Sequence, residues 1–179
     1  MQIAAVVLVV IVAGGLVVAA LAATRPGTIT IVRAVDINAA PEQVFPLVDD
    51  LRRWAEWPAD DDQAQTARTF GPISRGQGAT SEWTGPGSAG AGRMEITDSR
   101  PPSKVVVAVD FRKPFVAHNV NDYTLEPHGC ATPVTWTWHG ESVLLLRVMS
   151  VFVSPDTTMG THFESGLRAL KNRAESSSR

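Results

Sequence analysis

Between Thr66 and His139 the chain holds six short segments, TARTF, ATSEW, GRMEITD, KVVVAVDF, NVNDYTLE and PVTWTWH, separated by Gly, Pro, Asn or Asp. Each alternates in polarity or is rich in β-branched residues, and alternation with period two puts successive side chains on opposite faces of a strand. Val105, Val107, Val109 and Phe111 thus share one face, and Val106, Ala108, Asp110 and Arg112 share the other. One face of the resulting sheet has to be covered. An earlier segment, TITIVRAVDIN from Thr28 to Asn38, sets Ile29, Ile31, Arg33, Val35 and Ile37 against Thr28, Thr30, Val32, Ala34 and Asp36, and predicts an opening strand.

Helical signals flank these strands. Ala39-Ala40-Pro41-Glu42 supplies a helix start, since proline is tolerated at the first helical position and an acidic residue suits the first turn; Val44, Phe45 and Val48 follow at helical spacing. Pro46 is expected to limit that helix, with Asp49-Asp50 capping a second short one that carries Leu51, Trp54 and Trp57 before Pro58 stops it. A long helix is predicted from Asp156, as a cap, to Glu175. Met159, Phe163, Leu167 and Leu170 lie on one side of it, and Glu164, Arg168, Lys171 and Arg173 on the other. The apolar stretch Val143 to Val153 fits either helix or strand. These elements make an α+β domain.

Ahead of the domain, Ile3 to Ala23 is a run of 21 residues without a charged side chain. As a helix rising about 1.5 Å per residue it matches a hydrocarbon core of about 30 Å. A cleaved signal peptide is the rival reading, because Ala20-Leu21-Ala22 resembles a small-x-small cleavage site. The run exceeds the usual length of about 7–15 residues, however, and no Lys or Arg precedes it. The expected organisation is a transmembrane anchor over 1–24, a linker over 25–27, one domain over 28–176 and a tail over 177–179. Arg25 and Arg33 follow the run and vote weakly for a cytoplasmic domain, which leaves the side of the membrane open. A connection of four residues, Thr24 to Gly27, keeps the domain within about 15 Å of the bilayer.

Composition removes several functions. Sixteen basic and 18 acidic residues give a net charge of −2, and neither sign gathers into a block, so a nucleic-acid partner is not expected. The single Cys130 excludes an internal disulfide. Asp60-Asp61-Asp62 reads as a solvated loop, and His128 with Cys130 lacks further ligands at useful spacing, so neither a metal nor a cofactor is expected. The glycine-rich Gly85 to Gly92 precedes a strand pattern, which argues for a hairpin connection over a phosphate cradle. No H-E-x-x-H, G-x-S-x-G or P-loop motif occurs. Of the histidines, His162, on the C-terminal helix beside Phe163, is expected at a boundary or solvent position, and His118 is the best-placed base.

A binding role needs an apolar wall with a few polar groups to orient the ligand. Trp83, Phe111, Tyr123, Trp136, Trp138, Met159 and Phe163 fall on the expected inward faces, and Phe115 brackets a proline turn that would form a pocket rim. In VTWTWHG, Val134, Trp136 and Trp138 share one strand face while Thr135, Thr137 and His139 share the other. If the tryptophans face inward, His139 points away from anything bound there.

The motifs Ala40 to Phe45 (APEQVF), Asp50 to Trp57 (DLRRWAEW), Val134 to Gly140 (VTWTWHG) and Gly166 to Lys171 (GLRALK) stand in an order that resembles the polyketide cyclase/dehydrase-like branch of the START-like, or SRPBCC, superfamily. The resemblance covers about Thr28 to Glu175. It implies a helix-grip fold, a curved antiparallel sheet around the long C-terminal helix with an apolar cavity between them. It also implies three candidate roles: a carrier or sensor of a hydrophobic small molecule or lipid at the membrane, a cyclase or dehydratase acting on an apolar or aromatic substrate, and an interaction module without a ligand. Oligomeric state is not readable. After the W-P turn relatives often carry Trp or Lys where this chain has Ala59 and three aspartates, so the cavity entrance is expected to differ.

Overall fold

The computed structural model describes residues 13–14, 20–24, 27–57, 66–127, 129, 131–141 and 155–177. Strand β1 (Thr28–Ile37) leads into helix α1 (Pro41–Asp49) and a short 3-10 turn (Arg53–Glu56). Six strands follow: β2 (Ala67–Phe70), β3 (Thr80–Thr84), β4 (Ala91–Arg100), β5 (Lys104–Lys113), β6 (Ala117–Leu125) and β7 (Thr132–Glu141). Helix α2 (Pro155–Ser176) closes the order. The strands form one antiparallel sheet, β1-β7-β6-β5-β4-β3-β2. All six expected segments are strands, because hairpin-linked neighbours with one apolar face need only pair and be covered on that face.

The cover comes from α1 and α2. Val44, Leu47 and Val48 of α1 and Phe163, Leu167 and Leu170 of α2 are buried against Ile31, Ile37, Ile96, Val105, Val107 and Leu125 of the sheet. Side-chain contacts fix the ends of these elements. The Gln43 carboxamide accepts from the Ala40 N–H at 3.3 Å, and Asp50 Oδ1 accepts from the Arg52 N–H at 3.0 Å, opening the 3-10 turn. At the other end of α2, Lys171 Nζ donates to the Asp36 carbonyl and Glu175 accepts from the Asn38 N–H.

Two local expectations are corrected. Pro46 does not end α1, which continues to Asp49: the ring removes one helical hydrogen bond, but Phe45, Leu47 and Val48 remain buried on either side of it. Asp156 does not open α2 but lies within its first turn, after Pro155, and its carboxylate pairs with Arg33 of β1, with Nη1–Oδ1 at 3.0 Å. Gly85 to Gly90 is a hairpin connection, closed by the Gly85 N–H on the Gly90 carbonyl at 2.7 Å.

Among the described residues no helix is long and apolar enough to cross a membrane. Most of the apolar run Ile3 to Ala23, together with Asp60-Asp61-Asp62, His128, Cys130 and Val143 to Val153, lies outside the described residues.

Candidate functional site

The ladder register stacks the inward side chains in rows across the sheet. Arg68, Trp83, Gly92, Phe111 and Ala117 make one row, and Met94, Val109, Asn119 and Gly140 the next. Further along, Asn121 faces Trp138, and Tyr123 faces Trp136. Helix α2 lays Met159, His162 and Phe163 over these rows. Between them is a cavity of about 370 Å³.

Aromatic rings build most of its wall. The Trp136 and Phe163 centroids are 4.5 Å apart, those of Trp138 and Phe163 6.2 Å, and those of Trp83 and Phe111 5.3 Å in an edge-on arrangement. Internal acceptors hold the indoles: Trp83 Nε1 donates to the Ala89 carbonyl at 2.9 Å, and Trp136 Nε1 to Asn121 Oδ1 at 2.8 Å. Trp54, from the 3-10 turn, reaches the wall with its Nε1 on the Val48 carbonyl at 3.0 Å. Rings fixed in this way form the cavity before anything enters it.

Two glycines leave room for the rings. A Cβ on Gly92 would lie 2.3 Å from the Trp83 ring, and one on Gly140 would lie 2.1 Å from the Trp138 ring. Each indole therefore leans over backbone and does not stand into the cavity. Glycine inside a strand marks such a close approach.

The wall also carries a few polar groups, Thr66, Arg68, Asn119, Asn121 and His162. Burial pushes the Arg68 guanidinium below its ordinary pKa, and a guanidinium stays charged at neutral pH. His162 stands edge-on to Phe163, with centroids 5.8 Å apart. Among the described lining residues the ionisable ones are Arg68 and His162.

Of the side chains expected to meet a ligand, Trp83, Phe111, Trp136, Trp138, Met159 and Phe163 line this cavity. Tyr123 and Phe115 do not. Tyr123 is fully buried one layer deeper, enclosed by Trp54, Trp57 and Trp136. Its burial pushes the phenol well above its ordinary pKa, and its hydroxyl has no hydrogen-bond partner among the described residues. Phe115 follows the end of β5 and projects from the β5–β6 connection, 48 % exposed. The proline turn expected to form a pocket rim instead leaves this ring half in solvent, away from the cavity lining.

His118 and His139 lie on the outer face. His118 Nδ1 is 2.6 Å from Asp110 Oδ1, and that carboxylate raises the imidazole above its usual range. His139 Nδ1 is 3.1 Å from Thr30 Oγ1. His162 holds the boundary position expected of it, half-buried, and there it borders the cavity. Arg68, Asn119 and Asn121 were readable only by parity: Thr66, Arg68 and Phe70 share a face in TARTF, and Asn119 and Asn121 share one with Tyr123. The sequence singled out none of the three, since a polar side chain on a strand carries no local sign that it faces a cavity.

A model of the family described as polyketide cyclase / dehydrase and lipid transport matches residues 28–175. No curated protein matches the chain. Among solved structures, protein CV1439 from Chromobacterium violaceum is similar at 16% identity and a TM-score of 0.58, over 84% of this chain and 99% of that one. The hypothetical protein jhp0584 from Helicobacter pylori is similar at 6% identity and a TM-score of 0.63, over 82% and 88%. The Aha1 dimer from Colwellia psychrerythraea is similar at 17% identity and a TM-score of 0.57, over 82% and 96%. At these identities the likeness is one of fold.

Proposed function

The chain belongs to the polyketide cyclase / dehydrase and lipid transport family, and we propose that it binds a hydrophobic small molecule or lipid in its cavity, as a carrier or sensor held at a membrane by its N-terminal apolar run. The cavity of about 370 Å³ with its aromatic wall carries the reading. Its size falls within the roughly 300–1,000 Å³ of small-molecule sites, and walls of this kind take up apolar surface with a few polar groups for orientation. Arg68, Asn119, Asn121 and His162 supply those groups, which suits a ligand with an apolar body and one hydrogen-bonding or acidic end. The tether is supported by the 21 uncharged residues from Ile3 to Ala23.

Trp54, Trp83, Trp136 and Trp138 border the cavity, so a conjugated polyene fatty acid bound there accepts their excitation energy. Titrating the full chain, kept in solution by an amphipathic polymer, with cis-parinaric acid is expected to quench tryptophan emission saturably. A non-fluorescent apolar competitor is expected to restore it. Absence of saturable uptake across fatty acyl, sterol and aromatic probes would sink the proposal.

The family description also names cyclase chemistry, and His162 offers an imidazole at the wall beside an apolar space. That second reading requires turnover of a polyketide-like substrate that falls in His162→Gln while probe binding persists.

A further inference from the structure

The register gathers distant parts of the chain at one end of the sheet. Thr28, which opens β1, faces Glu141 at the end of β7; Gly140 faces Asn119, and Ala117 faces Phe111. Ala91 faces both Lys113 and Thr84, and Thr84 faces Ala67. The start of β1, the β5–β6 tip, the β3–β4 connection and the start of β2 therefore share this end. Helix α2 begins here too, since Arg33 reaches Asp156 whereas Asp36 and Asn38, further along β1, reach Lys171 and Glu175.

The cavity occupies the same half of the molecule. Arg68, Trp83 and Phe111 wall it at this end, while the far half of the inner face is filled by Ile96, Val105, Val107, Leu125 and Val134, each at most 1% exposed. Of the partly exposed lining residues among those described, Thr66, Arg68, Ala89, Phe111, Met159 and His162 meet the surface at this end, while Trp54, packed on Tyr123, does so further along.

Two observations say what lies opposite that opening. The β5–β6 tip presents Phe115 and Val116, 48% and 67% exposed, beside the exposed Lys113. Adjacent apolar side chains next to a lysine suit the interfacial layer of a bilayer, where the apolar groups leave water and the ammonium meets anionic headgroups. The four residues Thr24 to Gly27 join the apolar run Ile3–Ala23 to β1 at this end, a reach of about 14 Å when extended.

We propose that the cavity opens toward the bilayer, with the Phe115–Val116 tip seated in the headgroup layer, so that an apolar ligand passes between lipid and cavity without crossing water. The proposal rests on reading the cavity as the ligand site and the N-terminal run as an anchor. The occupant of this face is lipid, because the attachment point of the run brings a lipid surface within reach of the tip.

The test uses the full chain in phosphatidylcholine–phosphatidylglycerol nanodiscs, with Cys130→Ser and one new cysteine carrying an environment-sensitive dye. Val116→Cys labels the tip, and Ser103→Cys labels the β4–β5 turn at the opposite end. With a lipid bearing a nitroxide high on its acyl chain, the label at 116 is expected to be blue-shifted and quenched several-fold more than the label at 103. Equal quenching, or stronger quenching at 103, overturns the proposal. Parinaric acid uptake in the same discs without nitroxide separates the two readings. Uptake with equal quenching removes the orientation and leaves the binding; preferential quenching at 116 without uptake removes the binding and leaves the orientation. Val116→Asp is expected to slow transfer from donor vesicles several-fold at unchanged equilibrium affinity, and an unchanged transfer rate counts against the proposal.

Discussion

Gly140 lies under the Trp138 ring, and the space a side chain would take is already filled: a Cβ there would be 2.1 Å from the ring and 2.7 Å from Asn119 Oδ1. Gly140→Ala therefore forces the indole, the asparagine or both toward the cavity. Overpacking of this kind costs about 1–3 kcal/mol, to be read as a lower midpoint in urea unfolding. Weaker parinaric acid binding should accompany it, since the displaced groups enter the space the probe needs. An unchanged midpoint would mean that the ring moves freely and that its lean is not fixed by packing. The neighbouring strand residues were legible in advance, because parity alone sends Val134, Trp136 and Trp138 inward and His139 outward. The close approach at Gly140 was not, since it depends on where one ring settles.

At the scale of elements, the junction of β1 with the start of α2 is an ion-pair cluster. Arg33 Nη1 and Nη2 reach Asp156 at 3.0 Å, and Nε reaches Glu164 at 2.8 Å. Gly160 allows the guanidinium to pass, as a Cβ there would lie 2.0 Å from Nη2. Hydrogen bonding to Arg33 holds the Asp156 carboxyl below its ordinary value. A depressed carboxyl contributes above its ordinary pKa and loses that contribution as pH falls through the lower, folded value. Amide hydrogen exchange in the first turns of α2 is thus expected to quicken, relative to its middle turns around Leu167 and Leu170, as pH drops below the normal carboxylate range. Arg33→Gln should show fast exchange there already at neutral pH and lose the pH dependence; slow exchange in that variant would show that apolar packing alone secures the helix. Strand parity placed Arg33 inward with Ile31 and Val35, but nothing local indicated that a helix more than a hundred residues later carries its acidic partners.

For the molecule as a whole, the inner face divides into a filled half and an open one. Ile37, Leu47, Leu51, Leu125 and Leu170 close the filled half. In the open half Trp83, Trp136, Trp138 and Phe163 surround space. Binding to the folded state alone stabilises it by mass action, about 2.7 kcal/mol at a free ligand concentration of 100 times Kd. Unfolding midpoints of the full chain, measured across parinaric acid concentrations, should rise in that logarithmic manner and should rise less in Gly140→Ala. A midpoint indifferent to the probe would mean that uptake takes place outside the folded cavity.

By itself the sequence determined the strands, their inward faces, the long C-terminal helix and the aromatic character of the interior, because periods of two and 3.6 residues are written in neighbouring side chains. It also carried the family resemblance, through motifs spread along nearly the whole domain. Only the tertiary structure decided that Pro46 sits within α1, that Tyr123 lies beneath the cavity while Phe115 lies outside it, and that Arg68, Asn119, Asn121 and His162 face the cavity. The physical reason is common to all of these. Where a side chain ends up depends on which distant strand or helix stands opposite it, and that is fixed by ladder register and packing across the whole sheet.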